Sequence, residues 1–249
     1  MSGHSKWSTI KRQKGATDAK RGQLFTKLAR EITVAARAGS TDPDANFRLR
    51  LAVDRARVAN MPKENIERAI QRGGAESGGE NYDEVYYEGY GPGGAALMIQ
   101  TMTDNRNRTV GEVRAALTRA GGSLGENGSV GWMFDRVGII ELEPNGTDPD
   151  EIALRAIDAG ASDVQVDDDA VEVFTEVEDL HKVRETLREA GYGIASAQLS
   201  MRPKTTASLD PDVAVKVIRV VEKLEDLDDV QEVFTNLDVS EEVLAQSVS

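Results

Sequence analysis

Residues 138–202 read GIIELEPNGTDPDEIALRAIDAGASDVQVDDDAVEVFTEVEDLHKVRETLREAGYGIASAQLSMR. Within this run the hydrophobic pattern switches between the period of a strand and the period of a helix. Strands are predicted at 138–143, 163–167, 170–176 and 194–202, and helices at 149–159 and 178–190. The order is β-α-β-β-α-β, which is that of a ferredoxin-like unit. It predicts an α/β domain over residues 137–203.

The segments before and after this unit are expected to form one domain together. Before it, strands are predicted at 84–90, 95–102 and 131–135, and a helix at 106–120. After it come a predicted strand at 205–209, a helix at 211–227 and a strand at 230–236. The later elements are too few to enclose a core alone. We therefore expect a discontinuous α/β domain of residues 81–136 plus 204–240, into which 137–203 is inserted.

The N-terminal quarter of the chain has helical periodicity. Asp18 is placed to cap a first helix that ends at Gly39, a second helix is predicted at 45–59, and a third begins at Pro62 and ends at Gly73-Gly74. We define residues 18–80 as the helical domain and residues 1–17 as a basic mobile arm. The sequence therefore predicts an α+β, multidomain protein. An all-helical N-terminal domain is followed by two α/β (ferredoxin-like) domains, of which the middle one is discontinuous.

Charge is distributed very unevenly. Residues 1–72 carry 16 Lys and Arg against 7 Asp and Glu, a net charge of +9, whereas residues 73–249 carry 14 against 36, a net charge of −22. A basic segment attracts a polyanion and an acidic body repels it. The pattern predicts that nucleic acid contacts the arm and the helical domain. A charge split that only keeps the protein soluble is the alternative.

The amino-acid composition argues against several kinds of protein, namely disulfide-bonded, metal-binding, membrane-spanning and catalytic ones. The chain has no cysteine, which excludes disulfides and thiolate metal sites. No apolar run approaches the ~18 residues that a membrane helix needs, and the N-terminus lacks a signal-peptide core. The only histidines are His4 and His181, and no catalytic set or metal-ligand spacing is evident. We expect a cytoplasmic protein that is not an enzyme and has no cofactor, metal, membrane partner or small-molecule substrate.

The candidate nucleic-acid-binding residues fall in three places. The arm combines cations with groups that stack on unpaired bases: His4, Lys6, Trp7, Lys11, Arg12 and Lys14. The first helix adds a basic face: Lys20, Arg21, Lys27 and Arg30. Arg106 and Arg108 lie between a predicted strand and a predicted helix. The alternative for this loop is that Asp104 or Asn105 simply caps the helix. For the arm the alternative is a disordered tail with no partner, and for the first helix it is a solvated helix face.

Two acidic or glycine-rich motifs have simpler interpretations. The run from Gly89 to Gly94 matches a dinucleotide-binding fingerprint by letter, but a predicted strand follows it where the fingerprint requires a helix. We interpret it as a hairpin turn. Asp167-Asp168-Asp169 lies between two predicted strands and is interpreted as a turn, not a cation site.

Several stretches, in order, resemble the YebC/PmpR family: GHSKW at 3–7, DAKRG at 18–22, NMPKENIERAI at 60–70, YEGYGPGG at 87–94 and TDNRNRT at 103–109. The resemblance covers about residues 1–240. It implies three domains with a discontinuous middle one and a cytoplasmic, non-enzymatic role. The family is usually labelled as probable transcriptional regulators that bind DNA. Its mitochondrial member, the translational activator of cytochrome c oxidase, and some bacterial relatives point to translation and the ribosome.

Three functions follow as hypotheses. The first is a translation factor whose arm and helical domain bind ribosomal RNA on the ribosome. The second is a DNA-binding regulator of transcription that uses the same domain, although the sequence has no clear helix-turn-helix pattern. The third is a protein-interaction module whose acidic α/β domains bind a basic partner.

Overall fold

A computed structural model describes residues 18–74, 81–166, 170–240 and 243 of the chain. The predicted arm, residues 1–17, and the Asp167-Asp168-Asp169 turn lie outside these residues. The described chain divides into two units. One unit is residues 134–202, and the other contains all the remaining described residues.

Three helices form the N-terminal region: α1 (Asp18–Arg37), α2 (Phe47–Val58) and α3 (Lys63–Gly74). The Asn46 side chain caps α2 by accepting a hydrogen bond from the Leu49 amide at 3.1 Å. The helices enclose a core that includes Ile32, Leu49 and Ile66. At Gly73 a Cβ atom would lie 2.5 Å from the Thr33 carbonyl oxygen, so glycine lets the end of α3 approach α1 closely.

The middle sheet joins strands from both sides of the 134–202 unit. Its elements are β1 (Asp83–Tyr90), β2 (Ala96–Thr103), α4 (Arg106–Arg119), β3 (Ser123–Leu124), α7 (Pro211–Glu225) and β8 (Val230–Thr235). The strand order is β3-β1-β2-β8, with antiparallel neighbours. Leu97, Leu117, Ile218 and Val233 are among the residues of its core. The two hairpin strands lie at the centre, so this order differs from the ferredoxin-like order expected for both sheets.

The turn between β1 and β2 is the predicted hairpin. Residues Pro92–Gly94 form a short 3-10 turn, and Gly93 has φ 70°. The strands then pair antiparallel from Tyr90 opposite Ala96 to Asp83 opposite Thr103. The dinucleotide-binding interpretation is therefore excluded here by the local fold, because no helix opens after the glycines.

The 134–202 unit contains β4 (Phe134–Glu143), α5 (Pro149–Ala159), β5 (Asp163–Val166), β6 (Val171–Thr175), α6 (Leu180–Glu189) and β7 (Gly193–Pro203). Its sheet order is β5-β6-β4-β7, which is the ferredoxin-like arrangement. The α+β class, with a helical N-terminal region before two sheet domains, is confirmed.

Two local predictions were wrong, and one short strand was missed. The strand expected at 131–135 is a 3-10 turn at Gly131–Met133, after which β4 runs unbroken from Phe134. Gly138 lies within β4, and a Cβ atom there would overlap Thr175 Oγ1 and lie 2.8 Å from Leu180 Cβ, so glycine allows these residues to approach the strand. The strand expected at 205–209 is reduced to one bridge between Ala207 and Leu237. The two-residue strand β3 was not predicted.

Candidate nucleic-acid interface

The six candidates of the arm, His4, Lys6, Trp7, Lys11, Arg12 and Lys14, lie outside the described residues. Their contribution to binding stays a prediction. The described chain starts where α1 begins, at Asp18, whose side chain is not described. Lys20 and Arg21 follow in the first turn and are exposed. These two cations therefore continue the positive charge of the arm onto the surface of α1.

The next two candidates on α1 contact the middle domain. Side chains of α1 donate to main-chain carbonyls at the end of α7, from Gln23 to Asp226, from Lys27 to Glu225 and from Arg30 to Asp228. Unpaired carbonyls and the helix dipole make the C-terminus of a helix attractive to cations. Lys27 and Arg30 thus have an intramolecular role, and their contact with nucleic acid stays a prediction.

The buried carboxylate of Asp229 is the centre of this contact. It is 2% exposed and accepts hydrogen bonds from Arg108 Nη2 at 2.8 Å, from the hydroxyls of Thr109 at 2.7 Å and Thr103 at 3.1 Å, and from Arg30 Nη1 at 3.1 Å. Burial acts to raise its pKa, but the hydrogen bonds from Arg108 and the threonines act more strongly. The pKa of Asp229 therefore lies below its ordinary value.

The candidates at the start of α4 are also engaged with carboxylates. Arg106 Nε lies 2.9 Å from Asp83 Oδ2, although the Arg106 side chain stays 64% exposed. Arg108 Nη2 contacts Asp104 at 2.7 Å as well as Asp229. The hydrogen bonds that Arg108 donates to Asp229 and Asp104 raise the pKa of Arg108 above its ordinary value. Arg106 is exposed enough to exchange its partner for a phosphate, whereas Arg108 is tied to the domain.

The arginines of α2 are engaged with partners inside the protein, and one of them, Arg48, reaches β1 of the middle domain. Their partners are the Glu84 carboxylate for Arg48 at 2.6 Å, main-chain carbonyls of Pro43 and Asp44 for Arg50, the Glu31 carboxylate for Arg55 at 3.0 Å, and the Asp54 carboxylate for Arg57 at 3.3 Å. The charge of Glu31 raises the pKa of Arg55. As a result α2 presents few uncommitted cations to an external partner.

A groove between α1 and α3 was not anticipated from the sequence. We call it the α1–α3 groove, and its volume is about 410 Å³. It is lined by Phe25, Thr26, Ala29, Arg30, Thr33, Met61, Asn65, Arg68, Ala69, Arg72 and Tyr82. The lining thus contains three arginines and two aromatic rings but no acidic residue. In a chain with a formal net charge of −13, this is a concentration of positive charge.

One sequence signal pointed toward this groove. Arg68 and Arg72 are four residues apart on α3, and like charges at that spacing destabilise a helix. Helical spacing also places Glu64 four residues before Arg68 and predicts an ion pair between them. That prediction is wrong, because Arg68 Nη2 donates to Asn65 Oδ1 at 2.9 Å. Tyr82 could not be assigned to the groove, since it follows a linker that gives no fold signal.

Other kinds of site lack support in the described chain. Residues 18–74, 81–166, 170–240 and 243 contain no cluster of three or more His, Asp or Glu side chains arranged to hold a metal ion. None of the helices within these residues has the length and apolar character needed to cross a membrane.

Comparison with known proteins places the chain in a family. Residues 5–76 match the family model described as TACO1/YebC protein N-terminal domain, and residues 82–237 match TACO1/YebC second and third domain. The chain belongs to the TACO1/YebC family. Relatives of the chain carry the name "probable transcriptional regulatory protein", which is not the name of an enzyme.

Two such relatives and one solved structure illustrate the similarity. The protein from Roseiflexus castenholzii is 56% identical over 100% of this chain and 100% of its own. The protein from Pelotomaculum thermopropionicum is 55% identical over 97% of this chain and 100% of its own. The crystal structure of a conserved hypothetical protein from Aquifex aeolicus has a TM-score of 0.84 and 47% identity. It covers 91% of this chain and 94% of its own.

Proposed function

We propose that this protein is a non-enzymatic regulator of gene expression that binds nucleic acid through its arm and helical region. It acts in translation by binding ribosomal RNA on the ribosome, in the cytoplasm. The observation that carries the proposal is the division of charge, +9 over residues 1–72 and −22 over the rest. A polyanion is attracted to the first segment and repelled by the second.

Single-stranded or structured RNA suits the basic segment better than a DNA duplex. Reading a duplex directly needs a helix that presents several side chains to the major groove. The arginines of α2, the second helix of the region, are occupied by internal carboxylates and carbonyls. The arm instead offers Trp7 among spaced cations, and an indole gains ~1–3 kcal/mol by stacking on an exposed base.

A DNA-binding regulator of transcription is the second candidate. The printed name of the relatives from Roseiflexus castenholzii and Pelotomaculum thermopropionicum favours it. The same arm and helical region would provide the contacts to the phosphate backbone, so the two candidates differ in ligand and not in the binding surface.

Co-sedimentation with ribosomes across a salt series tests the proposal. The double variant Lys11→Ala/Arg12→Ala should bind more weakly, and the slope of log K against log salt should flatten by about 0.7–0.9 for each lost phosphate contact. The matched control is Lys182→Ala/Arg188→Ala, which removes the same charge from two exposed positions on α6. Equal behaviour of the two double variants would contradict a specific role for the arm.

Trp7→Ala separates the two candidates. It should weaken binding to ribosomes about tenfold or more, because 1.4 kcal/mol of lost stacking is a factor of ten. Nonspecific binding to duplex DNA, which depends mainly on charge, should change little. A protein that prefers a promoter duplex to ribosomes by a large factor, with no effect of Trp7→Ala on either ligand, would establish the transcriptional candidate.

A further inference from the structure

The α1–α3 groove combines positive charge with aromatic surface. We propose that it binds one unstacked nucleotide of single-stranded RNA, with the phosphate held by Arg68 and Arg72 and the base against Phe25 and Tyr82. This inference rests on the proposed function and extends it, because it assigns RNA to a surface outside the arm. The groove's volume of about 410 Å³ is within the range of pockets that take small ligands.

The charge of two groove arginines is not neutralised inside the protein. In the helical region Arg48, Arg55 and Arg57 each form an ion pair with a carboxylate. Arg68 donates only to the neutral amide oxygen of Asn65, and Arg72 has no hydrogen-bond or ion-pair partner among the described residues. Both side chains are exposed and can reach a phosphate without breaking an ion pair.

Their spacing suits one phosphate group. Positions i and i+4 of a helix are neighbours, with Cβ atoms about 5–6 Å apart. Two guanidinium groups on such stems can converge on one phosphate and form charge-assisted hydrogen bonds to it. The repulsion between Arg68 and Arg72 in the unbound protein is relieved at the same time, so the anion stabilises this end of α3.

The aromatic side of the groove is held in place. The guanidinium of Arg30 lies 5.2 Å from the centre of the Tyr82 ring, and Arg30 is itself fixed by Asp228 and Asp229. Phe25 is partly buried against the helical core, which restricts its motion. Two aromatic side chains in fixed positions offer stacking surface for a base, and stacking tolerates any base because each has a π-face.

The first test measures RNA affinity in the full-length protein. Fluorescence anisotropy with a labelled short single-stranded RNA compares Arg68→Ala/Arg72→Ala with the control Arg57→Ala/Lys63→Ala. The control removes two exposed cations of the same region that do not line the groove. We expect the groove variant to bind about tenfold more weakly, with a salt slope about 1.4 flatter, and the control to retain most of the affinity.

Folding of the groove variant is checked by thermal melting. Its melting temperature should equal or exceed that of the unmodified protein, because alanine favours helix and the repulsion between Arg68 and Arg72 is removed. The second test uses the same RNA with 4-thiouridine. Photocrosslinks mapped by mass spectrometry should include peptides that contain Phe25 or Tyr82.

The outcomes separate the two proposals. If the unmodified protein binds RNA, but both double variants lose affinity equally or crosslinks fall only outside the groove, the groove assignment is overturned while the proposed function stands. If the unmodified protein does not bind RNA, both are overturned.

Discussion

A carboxylate that is 2% exposed needs strong compensation for its lost hydration, and Asp229 receives it from two parts of the fold. Arg108, Thr103 and Thr109 contribute hydrogen bonds from the middle domain, and Arg30 contributes one from the helical region. A single side chain therefore links α1 to the loop that follows α7.

Replacing this carboxylate should be strongly destabilising. Asp229→Ala leaves Arg108 and Arg30 without their shared partner, and breaking a buried ion pair costs about 3–5 kcal/mol. The melting temperature should fall markedly. Asp228→Ala is the control, since Asp228 is exposed and contributes only its main-chain carbonyl, which the substitution keeps. Its effect should stay within about 0.5 kcal/mol. Equal melting temperatures for the two variants would contradict the role of Asp229.

The pH dependence of stability follows from lowered pKa values. Burial acts to raise the pKa of Asp229, Glu84 and Glu88, but hydrogen bonds and, for Asp229 and Glu84, arginine charges lower each pKa below its ordinary value of 3.8 for Asp or 4.5 for Glu. The stability that a lowered pKa contributes is complete above the unfolded pKa and is lost as pH falls through the folded pKa.

The melting temperature should therefore be nearly constant around neutral pH and should decline below about pH 4.5. Asp229→Asn, which removes one of the titrating groups, should show a shallower acid decline from its own lower starting value. A melting temperature that increases between pH 5 and pH 3 would be incompatible with these pKa directions.

The roles of individual cations were hard to predict from the sequence. Lys27 and Arg30 lie on a basic helix face, as expected, but their carbonyl partners are 198 positions away along the chain. Periodicity reports which face of a helix is polar and not which element covers it. For Arg72 the sequence offers only its spacing of four residues from Arg68, and the aromatic side chains that share the groove with it are visible only in the structure.

At the scale of elements, prediction succeeded where local signals were complete. Helix α5 was predicted at 149–159 and found there, because Asp148 caps it, Pro149 starts it and Gly160, at φ 111°, ends it. The two-residue strand β3 has no periodicity to detect. In residues 205–209 only Thr205 and Thr206 favour a strand, and the segment forms a single bridge, between Ala207 and Leu237.

The loop after β3 depends on one carboxylate from β1. Glu88 accepts hydrogen bonds from the amides of Gly128 at 2.7 Å, Val130 at 2.6 Å and Gly131 at 2.7 Å. Converging amides of this kind form an anion-binding concavity, which here is filled by a side chain of the same domain. This contact could not be predicted from local sequence patterns, because the partners are 40 or more residues apart.

Removing that carboxylate should loosen the loop. In Glu88→Ala the amides of Gly128, Val130 and Gly131 lose their acceptor, and their hydrogen exchange should become about tenfold faster or more. Hydrogen-exchange mass spectrometry on peptides covering 125–133 measures the change. Glu126→Ala, an exposed carboxylate in the same loop, is the control and should leave the exchange unaltered. Unchanged protection in Glu88→Ala would show that the loop is held by other contacts.

In the whole molecule, the boundary between basic and acidic sequence does not separate two independently packed parts. The basic segment ends within the helical region, yet that region is hydrogen bonded to the acidic middle domain through α1 and the end of α7. The middle domain therefore holds α1 in place, and we expect its own acidic surface to repel nucleic acid.

A fragment of residues 82–249 tests this division. It keeps every strand of both sheets and Val243, which lies in the middle core, so it should fold. Circular dichroism should show a cooperative thermal transition. Its affinity for RNA at physiological salt should be far below that of the full chain, because it lacks the segment with a net charge of +9. A gel shift in which the fragment binds as well as the full chain would refute the division.

The central claim is that the basic N-terminal segment binds ribosomal RNA, and ultraviolet crosslinking in cells followed by sequencing of the attached nucleic acid tests it most directly. Reads should be concentrated at defined ribosomal RNA positions, strongly reduced for Lys11→Ala/Arg12→Ala and retained for Lys182→Ala/Arg188→Ala. Reads concentrated at promoter DNA, with ribosomal RNA at background for all three proteins, would contradict it.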